Sequence, residues 1–80
     1  MKKNSLLKII YDLEVIHGIT KFQKFIYFLT YYNIPNLKFT FTQHDFGPFS
    51  FELEDYIKEL EENGLIKIKK DYYNNDTIIG

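Results

Sequence analysis

Breaks in an otherwise continuous apolar pattern constrain this chain more than any other feature. Gly18, Asn33-Ile34-Pro35-Asn36, Phe46-Gly47-Pro48-Phe49 and Gly64 cut it into segments, and the period of the apolar residues changes between them. Between about Ser5 and Ile16, Leu6, Ile9, Ile10, Leu13 and Ile16 recur at helical spacing. Lys8, Asp12 and Glu14 fall elsewhere on the wheel, which predicts a first amphipathic helix. Asn4 or Ser5 can cap its start, and Gly18 sits where a left-handed C-terminal residue is wanted.

Thr20 reads as the N-cap of a second helix reaching about Tyr32, with Phe22, Phe25, Ile26, Leu29 and Tyr32 as its main stripe. Its flanks, Tyr27, Phe28 and Tyr31, are apolar too, so eight of the eleven residues from Phe22 to Tyr32 are hydrophobic. A helix apolar nearly all round is buried on more than one side. One 80-residue domain cannot easily cover it, so the expectation is a homodimer, or a C-terminal region absent from this sequence, lying on Phe28, Tyr31 and Tyr27.

Pro35 ends that helix. Lys38-Phe39-Thr40-Phe41-Thr42-Gln43 then alternates polar and apolar, predicting a short strand, and Phe46-Gly47-Pro48-Phe49 has turn chemistry. Ser50 is placed to cap a third helix over about Phe51–Asn63, burying Leu53, Tyr56, Ile57 and Leu60 and terminated by Gly64. Leu65–Lys69 alternates again. A polar turn over residues 71–76 leads to Thr77-Ile78-Ile79, completing a β-hairpin. The order predicts an α+β fold: a small winged helix-turn-helix of three helices with a short strand and a C-terminal β-hairpin wing. Residues 1–80 form a single domain, and the stop at Ile79-Gly80 reads as an N-terminal piece excised from a longer protein.

Two stretches resemble a known family, the YwgA-like proteins, and more distantly the N-terminal part of Panacea-type antitoxin domains. One is Thr20-Lys21-Phe22-Gln23-Lys24-Phe25-Ile26-Tyr27-Phe28-Leu29. The other is Phe46-Gly47-Pro48-Phe49-Ser50 with Leu53, followed by Leu60-Glu61-Glu62-Asn63-Gly64-Leu65-Ile66. The likeness covers about residues 19–66 and implies a winged-helix core with a regulatory or antitoxin role. It implies no chemistry, and the members it resembles are longer than this chain.

Charge then weighs the binding functions. Residues 52–62 hold Glu52, Glu54, Asp55, Glu59, Glu61 and Glu62 against Lys58 alone, a net of −5. A third helix with that stripe is repelled by phosphate, so it is a poor reader of the major groove. A solvated acidic face with a Glu54–Lys58 pair accounts for it more simply. Lysines lie elsewhere: Lys67, Lys69 and Lys70 on the wing, Lys21 and Lys24 at the start of the second helix. These are the expected contacts to duplex DNA, salt-sensitive and poorly selective, since the chain has no arginine to read guanine bidentately. The competing account of the wing lysines is that they keep an edge strand from aggregating. The two functions to weigh are thus a DNA-associated regulator and a protein-interaction or dimerisation module without nucleic acid.

Catalysis has little support. His17 and His44 are the only histidines, no activated nucleophile stands beside either, and His17 reads as a partner for a helix C-terminus. Without cysteine there is no thiolate metal site, and the isolated glycines form no phosphate loop. No cofactor, no small-molecule substrate and no membrane partner are expected. The apolar start is interrupted by Lys8, Asp12 and Glu14 and lacks a small-residue cleavage site, so the expected compartment is the cytoplasm.

Overall fold

The computed structural model describes residues 2–34, 36–45, 47–70 and 76–80, and the elements follow from local signals until long-range pairing overrides them. Helix α1 spans Lys2–Leu13 and buries Leu6 and Ile10. It stops because Glu14 turns left-handed (φ 63°), its N–H donating to the carbonyls of Ile10 and Tyr11. The expected helix continued to Ile16 and ended at Gly18. Instead Val15–His17 is strand β1. Asn4 and Ser5 lie inside α1 rather than capping it.

Helix α2, Ile19–Tyr31, starts from Gly18, whose φ of 93° and unprotected N-cap replace the expected Thr20 cap. Phe22, Gln23 and Ile26 face the core, while Phe25 and Tyr32 of the expected stripe are exposed. Its end is a complete Schellman closure. Asn33 is left-handed (φ 57°), and the N–H groups of Asn33 and Ile34 donate to Thr30 and Leu29.

The predicted strand over 38–43 is mostly absent. Leu37 and Phe39 do point into the core with the expected alternation, but no ladder forms until β2, Thr42–His44. That strand pairs antiparallel with β3, Gly47–Phe49, so part of the expected turn is strand. Helix α3, Phe51–Glu62, buries Leu53, Ile57 and Leu60. Its cap is as predicted: the Ser50 hydroxyl oxygen accepts from Leu53 N–H at 3.0 Å. At its end Gly64 (φ 74°) donates to Glu61 and Leu65 donates to Leu60, the same closure as on α2.

Strands β4, Lys67–Lys70, and β5, Asp76–Ile79, form the antiparallel hairpin, and the expected polar turn at 71–75 lies outside the described residues. The sequence did not signal that β1 joins on the far side of β5, giving the order β1-β5-β4. Ile16, Ile78 and Ile68 align across the three strands, and this isoleucine row packs on Leu6, Ile10, Phe22, Ile26, Leu53, Ile57 and Leu60. The whole is a small α+β domain with three helices and antiparallel strands in two sheets among the described residues.

Candidate nucleic-acid interface

Side chains alternate across a strand, so the row of isoleucines facing the core forces its neighbours to the opposite face. There the register aligns Lys67 with Ile79 and Val15, and Lys69 with Thr77 and His17. Strands lie about 4.8 Å apart, so each row crosses roughly 10 Å. Lys67 and Lys69 are exposed and make no ion pair among the described residues. Lys70 differs: alternation puts it on the side of Ile68 rather than with Lys67 and Lys69, and its ammonium donates to Asp76 Oδ1 at 3.2 Å.

His17 and Thr77 were not singled out as binding groups by the sequence. A histidine assigned to a helix end is instead a strand residue in line with Lys69 and Thr77, giving three hydrogen-bonding side chains in one row. The signal available was the β-branched pair Val15-Ile16 beside Gly18, which the helical spacing of Ile16 obscured.

Lys21 and Lys24 are exposed on the first turns of α2 but do not join that row into one patch. Lys21 borders an apolar groove of about 220 Å³ with Leu13, Val15, Ile16, Phe22 and Phe25. Lys24 runs over the other hairpin, close enough that a Cβ at Gly47 would sit 3.1 Å from its Cε. The five lysines therefore occupy three places.

The two segments quoted for the family likeness do meet. Gln23 is buried, its Nε2 donating to Ser50 C=O at 3.1 Å and its Oε1 accepting from Ser50 N–H at 2.9 Å. One amide thus fixes the residue that caps α3.

The acidic face of α3 is partly neutralised from an unexpected direction. Lys2 Nζ donates to Glu52 Oε2 at 2.9 Å and Lys3 Nζ to Glu59 Oε1 at 2.8 Å, both from α1. The expected Glu54–Lys58 pair is present at 3.6 Å. Desolvation raises the Glu52 pKa, but the Lys2 hydrogen bond, the Thr40 N–H and the Lys2 charge together hold it below the ordinary value. Glu52, Asp55, Tyr56 and Glu59 line a shallow open recess. Lys2 and Lys3 thus serve α3, 50 and 56 residues away, and no local pattern could have announced it.

Of the expected interface residues, Phe28 is 58% and Tyr31 73% exposed. Tyr27 is half-buried, its ring edge-on to Phe41 at 5.2 Å. The two histidines lie in different sheets, His44 Nε2 being 3.0 Å from Thr42 Oγ1. Among the described residues no cluster of three or more His, Cys, Asp or Glu could hold a metal ion. No described helix is long and apolar enough to cross a membrane. No family model, curated protein or solved structure matches this chain.

Proposed function

We propose that this chain is a winged-helix regulatory domain that associates with duplex DNA through the outer face of its three-stranded sheet. The observation carrying the reading is the pair Lys67 and Lys69, exposed on one strand and free of carboxylates among the described residues, with Lys69 in line with Thr77 and His17. Their backbone positions are about 6.6 Å apart along the strand, so two long, flexible side chains can bring ammonium groups to the phosphate backbone, and a hydroxyl and an imidazole extend the row. The element order supports the winged-helix form: three helices, with the β4–β5 hairpin after α3 as the wing and β1 completing its sheet. Helix α3 does not enter the groove in this reading, because its outer face keeps Asp55, Glu61 and Glu62 unpaired among the described residues. The contacts are to backbone phosphate, so sequence preference is weak and salt sensitivity strong.

The test is the double substitution Lys67→Gln and Lys69→Gln, with duplex affinity followed by fluorescence anisotropy across salt concentrations. The expected result is weaker binding at every salt concentration and a log–log slope flatter by about 2. An unchanged slope refutes the reading. A second reading, a protein-interaction module without nucleic acid, is favoured by the exposed rings of Phe28, Tyr31 and Tyr32.

A further inference from the structure

The two edges of the three-stranded sheet are built differently. Strand β4 carries Lys67, Lys69 and Lys70, the usual defence of an edge against another strand. Strand β1 is Val15-Ile16-His17, without lysine, proline or bulge. Its hydrogen-bond phase is fixed by Gly18 N–H to Asp76 C=O and Gly80 N–H to Glu14 C=O, both 2.9 Å. Glu14, Ile16 and Gly18 therefore turn their peptide groups toward β5, and Val15 and His17 turn theirs outward. No described residue bonds those four outward groups. Along the same edge runs the apolar groove bordered by Leu13, Val15, Lys21 and Phe25.

We propose that a second copy of this chain pairs with β1, antiparallel and centred on Ile16, joining two three-stranded sheets into one of six. The inference does not rest on the nucleic-acid reading and uses none of the wing lysines; it shares only His17 with that row, through the backbone rather than the imidazole. Centring on Ile16 sets Val15 against His17 of the second copy and His17 against its Val15. All four outward groups of each strand are then satisfied by one two-fold axis. Charge is complementary in the same register. Glu14 falls opposite Gly18 of the second copy, at the positive start of its α2, whose first turn carries Lys21 and no acid.

The apolar surface fits the same occupant. Lys21, Phe25, Phe28 and Tyr32 share one face of α2, and Phe25 borders the groove at the β1 edge. Phe25, Phe28 and Tyr32 are 41%, 58% and 70% exposed. These rings alone offer on the order of 300 Å² per copy, over a third of the roughly 800 Å² each partner of a stable complex buries. Leu13, Val15 and the β1 backbone add to it.

Sedimentation velocity from roughly 1 μM to 1 mM spans the affinities at issue. The wild-type chain is expected to double its mass across that range. His17→Pro removes one outward N–H and leaves the β5 ladder intact, so it should stay monomeric at the highest concentration with an unchanged circular dichroism spectrum. Should His17→Pro fail to fold, Val15→Lys, which places charge in the pairing surface, must show the same loss. Amide exchange supplies the specific readout: Val15 and His17 should slow as concentration rises, while Ile68 and Lys70, whose amides point outward from β4, should not. A wild-type chain monomeric throughout overturns the proposal. So does a dimer in which the Val15 and His17 amides exchange as fast as in the monomer, which would put the contact on another surface.

Discussion

Replacing Gln23 by leucine removes the side chain whose hydrogen bonds tie α2 to the start of α3. Both of its bonds go to Ser50, a fully buried residue, and both are to backbone: N–H to Oε1 at 2.9 Å and Nε2 to C=O at 3.1 Å. Leucine leaves that N–H without a partner in the interior, at about 1–3 kcal/mol, and takes from the C=O one of its two bonds, at about 0.5–1.5 kcal/mol, the other, from Glu54 N–H at 3.1 Å, remaining. Added apolar burial returns roughly 1 kcal/mol. The net cost should be about 0.5–3.5 kcal/mol, against a total near 4–12 kcal/mol for 80 residues. That corresponds to a Tm lower by roughly 2–28 °C. Ser50→Ala is the internal comparison. It deletes only the oxygen that accepts from Leu53 N–H and should cost about 1 kcal/mol. Combined with Gln23→Leu it should cost less than alone, because Ser50 is already released from its position. Urea unfolding followed by circular dichroism gives all three numbers. A Gln23→Leu protein no less stable than wild type at equal m-value refutes the argument.

Two further outcomes follow from the same geometry. Glu52 has a folded-state pKa below its ordinary 4.5, so its ion pair contributes fully at neutral pH, and that contribution is lost as pH falls through the lowered value. Glu52→Gln should therefore flatten the acid limb of a stability–pH curve, and an acid limb unchanged from wild type would contradict the Lys2 pairing. Gly64→Ala meets no atom within 4 Å, so its cost comes from φ of 74° alone. About 1 kcal/mol in urea denaturation is expected, and a neutral result would mean the α3 terminus can close without a left-handed residue.

The parts of the fold readable in advance were those decided within a few residues. Ser50 and Gly64 bound α3 because caps act over three or four positions, and Ile66 and Ile68 alternate inward as a strand must. Ile16 misled because its spacing from Ile9, Ile10 and Leu13 suits a helix, while its position is decided by Ile78, sixty-two residues on. The stretch 38–41 misled in the opposite sense. Its alternation correctly placed Phe39 inside, with Phe41 half-buried, but burial without a neighbouring strand makes no sheet. For the candidate site, the wing lysines were legible from period 2, whereas His17 and Thr77 joined them only through the β1–β5 register. The counter-ions of α3 were illegible for the same reason: Lys2 and Lys3 reach Glu52 and Glu59 through tertiary packing.

The position of β5 between β1 and β4 has a consequence for how the chain is made. During synthesis Val15–His17 leaves the ribosome long before its partner, Thr77–Ile79, exists. At about 5–20 residues per second the interval is roughly 3–12 s. For that time the nascent segment presents an apolar strand with neither side paired, and only translation of the central strand supplies its partner within the chain. Slowing or stalling translation shortly before residue 76 should therefore expose this chain to chaperones and to its neighbours on a polysome, whereas a stall after residue 80 has cleared the exit tunnel should not.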